Sequence, residues 1–178
     1  MKSFVLKLFY ATILLAICNT SAAMPLNELR AKYMTALHDQ DKAESVYMLF
    51  LEIKEPSAKI LAYRGALEAI MTKTTWNVFK KISYLNQSEE SFRKAISRSP
   101  NDIEIRFMRL AVQYEIPEYL GFSNNKEEDK KFIVSNINHF DASLFPLQTV
   151  KEIYGFMIKC NYFSEEQIMK FKSQLALR

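Results

Sequence analysis

From Leu26 onward apolar residues return at helical spacing in segment after segment, while the whole chain holds three glycines with which to make a tight turn. That combination leaves little besides packed helices. β-Hairpins need glycine or asparagine at left-handed turn positions, and half-buried strands need alternation, which is absent here. The expected fold class is therefore all-α: about 7–8 helices in antiparallel hairpins forming a single domain over residues 24–178.

Local start and stop signals divide the pattern. A first helix is expected from Leu26 to Leu37, with Leu26, Leu29, Tyr33 and Leu37 on one side. After the polar His38–Asp41 turn, a second runs to about Lys54, burying Ala43, Tyr47, Phe50 and Leu51. Pro56 breaks it and Ser57 caps a third, Ala58 to Lys73, which is apolar nearly all round except at Arg64 and Glu68. A helix of that kind is central to its fold. The fourth, Asn77 to Ser97, carries the stripe Phe79, Ile82, Leu85, Phe92 and Ile96. Pro100 and Asn101 separate it from a fifth ending near Tyr114, with Asn101 and Glu104 set as a capping box. Asn125 with Glu128 repeats that arrangement for a sixth, to about His139; Pro146 opens a seventh, and Ser164, Gln167 and the staple Phe163–Ile168 open the last.

The N-terminus addresses the chain. Lys2 and Lys7 precede a short apolar run from Leu8 to Cys18, which ends in small residues at Ser21 and Ala23. This is the secretory pattern, with cleavage expected after Ala23 and residues 1–23 forming a signal peptide. Too short to span a bilayer, the run is not expected to remain as an anchor. Lipidation at Cys18 is a rival route, disfavoured by the bulky Ile17 before it. The leader holds two lysines and no acid, so +2 of the chain's +4 charge remains, too little to attract nucleic acid. Cys160 would then be alone, and no intrachain disulfide can form. The expected location is the periplasm or the extracellular space.

At one join the residues match a repeat. Phe107, Leu110–Ala111 and Tyr114 stand at the spacing of a tetratricopeptide first helix, and Ser88, Phe92, Ala95 and Pro100 fill the preceding second-helix positions. Leu61 and Gly65 sit where an earlier first helix needs them, with residues near Lys73 to Leu85 as an insertion. The chain thus resembles a degenerate tetratricopeptide-like (TPR-like) array over roughly Leu26 to Ile116. Ile103–Leu110, Pro117, Leu120–Gly121 and Glu128–Lys130 are also similar to a group of exported bacterial proteins, a resemblance that implies a compartment and a fold but no activity.

Repeats of this kind imply a concave face lined by first helices. Arg64, Glu68, Arg106, Arg109 and Gln113 would lie there as a candidate partner-binding face, the two arginines gripping a carboxylate or peptide terminus. The same residues also read, and more simply, as an internal ion-pair network, Arg64 with Glu68 and the other arginines with Glu104 or Glu118. No catalytic, cofactor or metal set is legible. His38 and His139 lack a nucleophile at readable spacing, Cys160 reads as a buried thiol, and the acids at Glu127–Asp129 read as a solvated first turn. Lys80–Lys81 and Lys130–Lys131 are too short for a membrane patch. The function expected is a non-enzymatic binding or scaffold protein of the bacterial cell envelope that holds a peptide or protein partner. The alternatives are a small helical enzyme using carboxylates such as Glu68 and Glu104, or a structural subunit of an envelope complex.

Overall fold

A computed structural model describes residues 24–176, with side-chain environments through Ser173. The expected signal peptide, its cleavage site and Cys18 lie outside the described residues. Eight α-helices follow one another: α1 (Leu26–His38), α2 (Gln40–Leu51), α3 (Ala58–Met71), α4 (Val78–Arg98), α5 (Ile103–Glu115), α6 (Lys126–Asn136), α7 (Leu147–Cys160) and α8 (Glu165–Ala176). Short 3-10 turns at Glu118–Leu120, Ile137–His139 and Ala142–Leu144 join the later ones, and no strand occurs among the described residues.

Most boundaries follow from side chains that satisfy first-turn amides. Ser57 Oγ accepts from Ile60 N, Asn77 Oδ1 accepts from Lys80 N, and Asp39 accepts from Asp41 N. Before α8 the full capping box forms: Ser164 Oγ accepts from Gln167 N at 3.3 Å, and Gln167 Oε1 accepts from Ser164 N at 2.9 Å. Two expected boxes are corrected. Asp102, not Asn101, caps α5, accepting from Glu104 N and Ile105 N, which moves Glu104 off the reciprocal position. Asn125 precedes α6 without a side-chain cap bond: its Oδ1 accepts from Gln113 Nε2 at 3.4 Å, and Glu128 is engaged by Arg106 of α5.

α3 is central, packing on α1, α2, α4 and α5. Its closest partner is α4, which runs antiparallel to it: Arg98 donates to the Pro56 carbonyl at one end, and Ser88 Oγ donates to the Gly65 carbonyl at 2.7 Å in the middle. Gly65 permits that approach, since a β-carbon there would stand 3.0 Å from the Phe92 ring and 3.1 Å from the Ser88 carbonyl. α5 and α6 form a second antiparallel pair.

The core falls into three connected parts. Leu29, Ala43, Tyr47, Phe50, Tyr63 and Leu67 join α1, α2 and α3. Leu61, Ala66, Phe92, Ala95 and Ile105 join α3, α4 and α5. The third part gathers Phe107 and Leu110 of α5 with Ile133, Met157 and an aromatic cluster built on Phe140, whose ring lies 4.8 Å from Phe145 and 5.2 Å from Phe171. Helix α5 thus joins the N-terminal half to the C-terminal half. Four expected core residues face solvent instead: Leu37, Leu51, Phe79 and Ile82.

Candidate functional site

The five residues of the expected face divide between two places. Arg106, Arg109 and Gln113 stand on α5 at positions that meet the first turn of α6. Arg109 donates from Nε and Nη2 to the two oxygens of Asp129, at 2.6 and 2.7 Å, a bidentate pair. Arg106 Nη1 donates to the same carboxylate at 2.9 Å and to Glu128, while its Nε and Nη2 reach the Pro100 carbonyl. Asp129 is wholly buried. The Glu128 carboxyl is held below its ordinary range, chiefly by the Arg106 hydrogen bond. Gln113 Oε1 accepts from Asn125 N, satisfying a donor at the start of α6. The acids that meet the arginines are therefore Glu128 and Asp129, not Glu104 or Glu118.

Arg64 and Glu68 face another way, toward α2 and α4. Arg64 Nη2 donates to the Phe50 carbonyl at 2.8 Å and reaches that of Ile53, tying off the end of α2. No hydrogen bond to Glu68 accompanies this, and Arg64 Nε and Glu68 Oε2 are buried without a partner. Burial pushes the Glu68 carboxyl up to about 7, and Ser91, Arg64 and Lys94 offset only part of that.

Sequence reasoning missed a second ionic cluster, on the opposite side of α3. Glu104 receives Arg30 Nε at 2.9 Å, Arg30 Nη2 at 2.7 Å, the Tyr63 hydroxyl at 2.7 Å and Lys59 Nζ at 2.5 Å. Burial raises its pKa, but the Arg30 hydrogen bonds and the Lys59 charge outweigh it and hold the carboxyl below its ordinary range. Arg30 also donates to the Leu144 carbonyl at 3.1 Å and lies 4.3 Å from the centre of the Phe145 ring. A segment from the C-terminal half thereby covers the ends of α1, α3 and α5. The only local hint was Glu104 itself, and its partners lie 41 to 74 residues away.

Open space lies between α4 and α5. A cleft of about 360 Å³ is bordered by Asn86, Glu89 and Arg93 on α4, by Val112 and Gln113 on α5, and by Phe122. Arg109 borders it too, with its charge already met by Asp129. The cleft thus offers the exposed Asn86 amide and apolar surface together with balanced charge, while the Gln113 amide is bonded to Asn125. A second hollow of about 320 Å³ lies beside Glu118, Lys126 and Tyr162. Glu68 and Glu104 line neither of these two. His38 Nε2 lies 3.1 Å from Glu152, and burial pushes the Cys160 thiol up, away from reactivity. Among the described residues no group of three or more His, Cys, Asp or Glu side chains could hold a metal ion. No protein-family model matches the chain, no curated protein matches it, and no solved structure matches it.

Proposed function

We propose that this chain is a non-enzymatic binding or scaffold protein of the bacterial cell envelope, a tetratricopeptide-like hairpin array that holds a peptide segment of a partner between α4 and α5. One observation carries the reading: the α4–α5 cleft, walled by Asn86, Val112, Gln113 and Phe122. A side-chain amide, Asn86, beside apolar walls suits an extended peptide, whose backbone needs donors and acceptors and whose side chains need burial. A purely anionic ligand fits less well, since Arg106 and Arg109 are already neutralised within the fold. The envelope assignment rests on the secretory pattern of residues 1–23, which N-terminal sequencing of the purified protein tests directly.

Removing Arg106 and Arg109 would unfold α5 from α6 and report nothing about binding. A better test places a photo-crosslinking residue at Asn86, on the lip of the cleft, and another at the exposed Lys151 on α7 as a control. In intact cells the Asn86 position should give a discrete adduct that Val112→Trp, filling the cleft, removes without lowering the melting temperature. Equal crosslinking from Lys151, or an adduct that survives Val112→Trp, overturns the cleft as the binding site.

A further inference from the structure

Helix α4 has 21 residues and its partner α3 has 14. Their register is set in the middle, where Ser88 and Phe92 close on Gly65. Counting outward, the last residue of α3, Met71, comes level with the region of Ile82 to Tyr84. The first turn of α4 and the connection before it therefore project past the end of α3, by about 7 Å for five residues. Four apolar side chains stand on that corner: Trp76 is 96% exposed, Phe79 87%, Val78 67% and Ile82 36%. Leu85 and Phe92, further along the same stripe, are buried. The stripe is continuous; the helix that would cover its first third is too short.

Charge on the corner has one sign along the chain. Lys73, Lys80 and Lys81 fall in the stretch between Glu68 and Glu89, which contains no acid. The start of α2, which carries acids, flanks the corner, since Gln40 donates to the Lys73 carbonyl. Of these, Asp39 is already paired with Lys42 at 3.0 Å, and Asp41 and Glu44 remain on that flank.

We infer that the α3–α4 corner is a peripheral docking point for an anionic phospholipid surface, with Trp76 and Phe79 entering the interfacial layer and Lys73, Lys80 and Lys81 at the headgroups. Aromatic side chains favour the depth of the headgroups, and lysines reach outward from it with their stems in apolar surroundings. Shape decides between lipid and protein as the occupant. A stable protein interface needs roughly 800 Å² per partner on a broad surface, whereas these four side chains crown a projecting tip. A bilayer yields to a tip. No described helix is long and apolar enough to cross a membrane, so the attachment is one of contact and shallow insertion. Lys80–Lys81 alone are too short a basic run, and their partners Phe79 and Ile82 would be core on periodicity alone; the overhang is what puts them together at the surface.

Trp76 is the chain's single tryptophan, so its fluorescence reports on this corner alone. The protein, purified in the form the cell makes, would be titrated with vesicles of phosphatidylcholine and with vesicles also containing phosphatidylglycerol. With the anionic vesicles the emission should shift to the blue and be quenched by brominated acyl chains. Raised salt, or Lys80→Glu with Lys81→Glu, should weaken vesicle binding by about tenfold or more. Phe79→Ser should abolish the quenching while leaving the thermal unfolding curve in place, since the side chain touches little in the fold. Unchanged emission with anionic vesicles overturns the inference, as does binding that these substitutions leave intact. A concentration-dependent blue shift without lipid, lost in Phe79→Ser, would assign the corner to a protein contact and also overturn it.

Discussion

Glu68 and Glu104 are both buried glutamates, yet their surroundings move them in opposite directions. Glu104 is met by Arg30, Lys59 and Tyr63, so folding favours its charged form. Glu68 has one oxygen unpartnered and a carboxyl raised to about 7, so folding favours its neutral form. The linkage then has a definite sign. Stability tied to Glu68 is fully present below the ordinary carboxyl range and falls as pH rises toward about 7, because the folded protein holds a proton that the unfolded chain releases. Glu68→Gln keeps the shape and removes the charge. It should raise the unfolding free energy at pH 8 by roughly 2–3 kcal/mol and change it little at pH 4, flattening the pH dependence between. Urea unfolding at the two pH values reads this directly; equal effects at both would mean that Glu68 ionises in the fold as it does in water.

At the scale of elements, the α3–α4 pair is held in register by one glycine. Gly65→Ala places a methyl group 3.0 Å from the Phe92 ring and 3.1 Å from the Ser88 carbonyl, and the backbone contact cannot give as a flexible side chain would. Alanine favours a helix interior over glycine by about 1 kcal/mol, so a well-tolerated substitution would stabilise. Here the clash should win, with a net loss of about 1–3 kcal/mol and weaker hydrogen-exchange protection along α3 and α4. A gain in melting temperature would show that the two helices slide apart freely. Gly65 was legible in the sequence as a small residue on a central helix, and so were the caps at Ser57 and Ser164, because each depends on neighbours within four residues. Asp102 was not separable from Asn101: both residue types cap, and the choice is made where Lys59 Nζ meets Asp102 at 2.9 Å. Periodicity identified the apolar face of α4 but carries no information about the length of α3, so Phe79 and Ile82 read as core. Arg106 and Arg109 stood out as a polar line, while the acids that hold them come from the next helix.

Across the whole molecule, the N-terminal half, α1 to α5, and the C-terminal half meet at several junctions. One is apolar, through Phe107 and Leu110 of α5, and one is the ionic network of Arg106 and Arg109 with Glu128 and Asp129. A third is Arg30, which reaches from α1 to Glu104 on α5 and to the Leu144 carbonyl in the turn before α7. Arg30 stands 74 residues from Glu104 and 114 from Leu144, so no local pattern could announce it. Its removal isolates the Arg30 junction experimentally. In Arg30→Ala, Glu104 keeps Lys59 and Tyr63 but loses its bidentate partner, and the Ala142–Leu144 turn loses its tether. The expected cost is about 3 kcal/mol, the low end for a broken buried pair because one cation remains. Its effect should also be uneven: amides from Ala142 into the first turn of α7 should exchange faster than those of α3 and α4, and limited proteolysis should cut first near Phe145. Arg93→Ala, which removes an exposed pair with Glu90 on the surface of α4, should change neither stability nor exchange pattern. If Arg30→Ala instead lowers protection evenly over all eight helices, the remaining junctions suffice to couple the halves and Arg30 adds stability without holding the C-terminal segment in place.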